Sequence, residues 1–207
     1  WQLSAIVMSK IILTYGSNAY AGFSLGGSAE LFTELPVIGF TVAATALAGQ
    51  AKGQKNGPLF REYFRQQMWM NAIVSGIGGF VMVVFPTLLM RAVTDIPELI
   101  EIGKYYLIVM GFIYIPQNVQ RTMKGTIYGS MGDTKAPMII AMIGIWLFRI
   151  PLAALAVYVF HAPLFFIWIV IGVDQVARFI MMHFYMKKKG VMQCVALQEE
   201  NEAKQTA

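Results

Sequence analysis

The sequence predicts an all-α polytopic membrane protein, a bundle of six helices of which the first is truncated. Two observations predict it. Hydrophobic residues make up 57% of the 207 and charged residues only 13%, a balance far from that of a soluble domain. The apolar residues also fall in blocks close to the ~20 residues that a helix needs to cross a ~30 Å hydrocarbon layer, not in short core segments. A secretory signal would leave one short apolar block followed by polar sequence, and the chain is not built that way.

The first segment, about 1–15, holds Lys10 and is broken by Gly16, Ser17 and Asn18. At the helical rise it covers only ~22 Å, so it reads as the end of a span whose beginning is absent, in a chain that starts with Trp. The second, about 19–49, carries Glu30, Glu34 and Pro36 and stops at the turn signal QAKGQKNGP. The third, about 62–90, contains the charge-free run from Met68 to Met90. Behind RAVTDIPE the fourth, about 98–124, is expected to start near Pro97 with Thr94 or Asp95 as its cap and Glu98 and Glu101 in its first turns. Pro116 lies inside it, and its second half is polar.

GSMGDTKAP reads as the next turn, with Asp133 or Thr134 capping the fifth segment, about 137–160, which Pro137 opens and which holds Arg149 and Pro151. After HAP the sixth runs over about 164–186 and ends in Lys187, Lys188 and Lys189. The bundle thus occupies 1–188 and a polar tail 189–207. The single cysteine, Cys194, leaves neither a disulfide nor a thiolate metal site.

Basic residues assign the orientation. Lys52, Lys55, Arg61, Arg65, Lys124, Lys135 and the lysine triplet fall on one side, whereas Arg91 and Lys104 on the other are offset by Asp95, Glu98 and Glu101. The lysine-rich side is expected to be cytoplasmic, with the C-terminus inside and the turn at Gly16 outside, in a cell membrane. The net charge of +5 is spread over these short loops, which points to anionic lipid and not to nucleic acid.

Ionisable groups within apolar spans are the candidate site. Glu30 and Glu34 are four residues apart, so they share a helix face at a depth where a carboxylate must pair, bind a cation or take up a proton. Glu34 has Lys10 as a possible structural partner. Gln117, Asn118, Gln120 and Arg121 put a polar stripe on the fourth segment that either joins helices or contacts a solute. Asp174 and Arg178, again four apart, are expected to neutralise each other. Arg149 is expected to reach a helix tip or a lipid headgroup.

No Walker-type phosphate loop, no HExxH, no serine–histidine–carboxylate set and no repeated filter sequence occurs. An enzyme, a cofactor-dependent protein and a channel are therefore not expected, and glycine-rich spans favour helices that slide, as in a transporter.

Three short motifs add a resemblance. AATALAGQAKG (43–53), GDTKAPM (132–138) and WLFRIPL (146–152) resemble, in order and spacing, the second half of a multidrug and toxic compound extrusion (MATE) transporter. The resemblance implies one lobe of a twelve-helix protein whose N-terminal six-helix lobe is missing here. It implies efflux of cationic or amphiphilic small molecules, coupled to inward movement of sodium or protons by alternating access. Gly49, Gln50, Gly132, Asp133, Arg149 and Pro151 then belong to the family scaffold. Two departures stand out: Tyr128, Gly129 and Ser130 replace the Leu-Arg-Gly of many members, and Gln117 or Asn118 stands where some carry an acid. These residues alone are expected not to transport. The alternative, a flippase of lipid-linked saccharides in the same broad superfamily, calls for more cavity-facing basic residues than Lys10, Arg121 and Lys124. A pure anchor would leave Glu30, Glu34 and Gln117 without a purpose.

Overall fold

The computed structural model describes residues 2–54 and 56–188. Trp1, Lys55 and the expected tail from Lys189 on, with Cys194, lie outside the described residues. The described chain is helical nearly throughout: α1 (Gln2–Leu13), α2 (Ser17–Gly53), α3 (Gly57–Val84), α4 (Pro86–Arg91), α5 (Pro97–Met131), α6 (Lys135–Val159) and α7 (Leu164–Lys188). Five of these, α2, α3, α5, α6 and α7, are long and apolar enough to cross a membrane.

Local chemistry explains the boundaries. Asn56 caps α3, its Oδ1 accepting from the Leu59 backbone N–H at 2.9 Å, with Pro58 in the first turn. The expected third segment is divided at Phe85, because Pro86 has no N–H to continue the ladder and starts the short α4 instead. Neither Thr94 nor Asp95 caps α5; Ile96 holds that position, and Thr94 Oγ1 accepts from the Ile96 N–H at 3.3 Å.

The GSMGDTKAP turn is shorter than its composition suggests. Helix α5 continues past Pro116 and through GTIYGSM to Met131, and Gly132, at φ +63°, ends it in the left-handed conformation. Gly125 and Gly129 bring the α5 backbone directly against Thr41 and Thr45 of α2, where a Cβ would collide with them. Glycine here permits close packing of helices and does not break one. Asp133 Oδ1 accepts from the N–H groups of Lys135 (2.9 Å) and Ala136 (3.2 Å), so the helix starts at Lys135, two residues ahead of Pro137.

Helix α6 is irregular twice, over Gly144–Arg149 and Leu155–Val159, where the turns widen to π geometry. Ile150 N–H bonds to the Ile145 carbonyl and Phe160 N–H to that of Leu155, each five residues back. Pro151 supplies a cause for the first: its nitrogen has no hydrogen to give to the Leu147 carbonyl.

Helix α5 is the axis of the bundle. It packs most extensively on α2, then on α3 and α7, while α1 sits against α2 and α6. Ile12, Met82, Leu107, Tyr114 and Trp168 fill one core cluster, and Phe60, Ile127 and Met182 a second towards the other end. Tyr15 donates to the Ala162 carbonyl (2.6 Å) and Asn18 to Glu98 (2.9 Å) at one end, and Tyr185 donates to Asp133 (2.6 Å) at the other. Trp69, Phe80, Phe112 and Phe184 point outward, as helices facing hydrocarbon chains require.

Candidate functional site

Glu30 sits thirteen residues, about 20 Å, along α2 from Ser17. It is 7% exposed. Its Oε2 accepts from the Tyr106 hydroxyl at 2.8 Å and its Oε1 from Gln117 Nε2 at 3.2 Å, both donors on α5. No cation lies within ion-pair distance of it among the described residues. The carboxylate is thus held only by neutral donors in an apolar interior, a costly arrangement unless a proton or cation shares it.

The aromatic residues fix the Tyr106 donor. Its ring meets Phe23 and Trp168 edge-on, each at 5.4 Å, and those two stack on one another at 5.4 Å. The hydroxyl is thereby aimed at α2 and cannot swing away without disturbing the Phe23 and Trp168 rings.

Glu34, one turn on, forms an ion pair with Arg121 of α5. Lys10 is exposed on α1 and is not its partner: Glu34 faces α5, on the side that Glu30 also faces. The shared face inferred from the four-residue spacing therefore points into the bundle, but the two carboxylates have different partners.

Below Glu30 runs a polar seam between α3 and α5. Asn71 Nδ2 donates to Thr122 Oγ1, Ser75 donates to Asn71 Oδ1 at 2.8 Å, and Thr122 donates to the Asn118 carbonyl at 3.2 Å. Gln117 and Asn118 are 3% and 0% exposed, yet Gln117 Oε1 and both amide atoms of Asn118 have no protein partner. Tyr114 Oη, near Thr33 and Asn118, likewise lacks a hydrogen bond of ordinary geometry. Gln120, also on α5, is buried.

Asn71, Ser75, Tyr106, Tyr114 and Thr122 escape the sequence reading. One signal was present: Asn71 is the lone amide inside the charge-free run of α3. The tyrosines carry no such mark, since tyrosine is ordinary near membrane interfaces.

A second buried group joins α6 and α7. Asp174, fully buried, receives Arg178 Nη2 at 2.6 Å and lies 2.9 Å from Arg149 Nε, both at Oδ2. Arg178 also donates to Gln175 at 3.0 Å. The expectation that Arg149 reaches a helix tip or headgroup is replaced by this contact, and Asp174 serves two guanidiniums instead of Arg178 alone. Arg149 is tied less well: its Nε is at ion-pair distance without the alignment of a hydrogen bond, and Asp174 Oδ1 has no partner. Gly144 makes room, since a Cβ there would press on the Arg178 stem and on Asp174 Oδ1 at 2.7 Å. Of the other scaffold residues, Gly49 lies against the Gly129 carbonyl, its would-be Cβ 3.6 Å away, and Gln50 is exposed.

No group of three or more histidine, cysteine, aspartate or glutamate side chains is placed to hold a metal among the described residues. The MatE family model matches residues 1–155. The chain is 32% identical over 173 residues to the probable multidrug resistance protein NorM of Thermotoga maritima, a stretch covering 84% of this chain and 37% of that protein. It is 21% identical over 167 residues to the probable multidrug resistance protein YoeA of Bacillus subtilis, covering 81% of this chain and 36% of that one. The chain therefore matches little more than a third of the length of these relatives.

Proposed function

This chain belongs to the MatE family, and from that premise we propose that it forms one lobe of a secondary active transporter. The protein expels cationic or amphiphilic small molecules across the cytoplasmic membrane, driven by inward movement of sodium or protons. The C-terminus and the lysine-rich loops lie in the cytoplasm, lipid surrounds the outward faces, and an N-terminal six-helix lobe completes the cleft. The two relatives named as multidrug resistance proteins favour the substrate class.

The observation that carries the mechanism is Glu30, a buried carboxylate bonded by Tyr106 and Gln117 and, among the described residues, by no cation. Its burial suits a small monovalent ion or a proton better than a drug-sized molecule. Glu30 takes up the coupling cation, and Gln117 and Asn118, with spare acceptor atoms, complete its surroundings. Glu34 and Arg121, nearer the bundle's edge with side chains 15% and 36% exposed, border the substrate cleft, with Gln120 beside them on α5. Glu30 alternates between charged and neutralised as the lobes rock, which couples its occupancy to the side the cleft faces.

A flippase of anionic lipid-linked saccharides needs free basic residues. Arg121 is paired with Glu34, and Lys124 lies 5.5 Å over the Tyr128 ring, which favours the cation exporter.

The test is gradient-driven uptake of tetraphenylphosphonium by the full-length protein in liposomes, with a sodium or a proton gradient imposed separately. One of the two gradients is expected to raise accumulation well above that of protein-free liposomes. Equal accumulation with and without both gradients would refute coupled transport.

A further inference from the structure

Helices α5 and α7 leave a groove along their outer side. Val109, Phe112 and Ile113 form its α5 wall, and Val173, Val176 and Ile180 its α7 wall, around a volume of about 430 Å³. Gly172 lies at the floor, where a Cβ would run into Ile113, so the missing side chain lets the two helices meet beneath the groove. Every residue that lines it is apolar. A cation finds no partner there, whereas a hydrocarbon chain finds a wall on each side.

The face of α7 that forms one wall continues past the groove. At about 100° per residue, Ile169, Val176, Ile180, His183 and Lys187 fall within about 60° of one another around the helix. His183 and Lys187 are exposed, as is Lys188 beside them. An apolar trough thus leads along one helix face to a cationic end.

We propose that this face binds one anionic glycerophospholipid, with an acyl chain in the groove and the phosphate at Lys187 and Lys188. The lengths agree. Lys187 lies seven residues, about 10 Å, beyond Ile180 and fifteen residues, about 22 Å, from Gly172. Half the thickness of a bilayer with its headgroups is ~20 Å. A phosphate held at Lys187 therefore places the far half of one chain between Ile180 and Gly172, with the His183 ring level with the glycerol.

Charge decides which way the lipid points. At the other end of the α5–α7 contact stand Glu98 and Glu101 with one cation, Lys104, a net negative group that repels a phosphate. At the lysine end the nearby acid, Asp133, is turned to Tyr185, which lies on the opposite face of α7 from Val176. With the C-terminus in the cytoplasm, the lipid belongs to the cytoplasmic leaflet. A chain in the groove touches both helices, and so ties α7 to the axis of the bundle.

Native mass spectrometry of the full-length protein, delipidated in detergent and titrated with phosphatidylglycerol or phosphatidylethanolamine of the same chains, tests this. The wild type is expected to hold one phosphatidylglycerol more tightly than phosphatidylethanolamine. K187Q is expected to weaken phosphatidylglycerol about fivefold, the factor for one lysine near an anionic lipid surface, and to leave phosphatidylethanolamine unchanged. V173W fills the groove from an exposed position on its wall and is expected to weaken both lipids. I180W fills it from the end nearer Lys187 and is expected to do the same, so the result does not hang on the folding of one variant. I77W, at an outward position of α3 away from the groove, is expected to bind as the wild type does. Equal affinity of the wild type for the two lipids would overturn the inference. So would unchanged phosphatidylglycerol binding in both V173W and I180W, the result if the N-terminal lobe or a second copy of the protein covers the groove.

Discussion

E30Q is expected to reach the membrane in near wild-type amount and to lose gradient-driven transport almost entirely. Glutamine keeps the volume and retains an oxygen to accept from Tyr106 or Gln117, but it holds no charge and exchanges no proton. A unit charge at 4 Å contributes about 4 kcal/mol at an effective dielectric near 20, on the order of a thousandfold in affinity for a cation. The fold should suffer little, since the substitution removes a buried charge that no cation compensates in the empty state. Efflux of a cationic dye from cells, divided by the folded protein found by fluorescence-detected size exclusion, measures this. Transport at the wild-type rate would remove Glu30 from the mechanism. E34Q leaves Arg121 at the edge of the bundle without its partner, and its transport defect should be smaller than that of E30Q.

D174N should show the opposite profile, a large loss of stability. It leaves the buried Arg178 and the half-buried Arg149 with no counter-charge, and breaking a buried pair in this way costs about 3–5 kcal/mol. For a domain of this size the melting temperature should fall by roughly 10 °C. R149Q, by contrast, leaves a balanced pair between Asp174 and Arg178 and should melt within a few degrees of the wild type. The order D174N far below R149Q follows from counting charges and not from counting contacts. The reverse order in a thermal melt of the purified full-length protein would show that the charges in this group are not arranged as described.

The spans, and the presence of a carboxylate at Glu30 within one of them, were readable because both depend on one segment at a time. An apolar run long enough to cross a bilayer needs no partner to be seen, and neither does a glutamate within it. What joins the helices was not readable. Glu34 is paired with Arg121 and not Lys10, and Arg149 turns to Asp174 and not to a headgroup, because partners on different helices leave no periodic trace in the chain. Tyr106, whose hydroxyl holds Glu30, is seventy-six residues from it and looks in sequence like an ordinary interfacial tyrosine. The glycines of GTIYGSM misled in a different way: the rule that glycine breaks helices comes from water. Between two membrane helices the ladder is kept because an unpaired backbone group is expensive, and the missing side chain lets α5 touch α2 at Thr41 and Thr45.

Coupled exchange requires that loading the substrate weakens the hold on the driving cation, and linkage makes that effect reciprocal. If Glu30 is where the driving cation sits, adding tetraphenylphosphonium to the purified full-length protein must release that cation from Glu30. The most direct measurement is the number of sodium ions or protons released per tetraphenylphosphonium bound, in wild type and in E30Q, at a cation concentration that loads the wild type. The account predicts about one cation released per substrate in the wild type, as one carboxylate neutralises one unit charge, and none in E30Q. Release from E30Q equal to that of the wild type would contradict it.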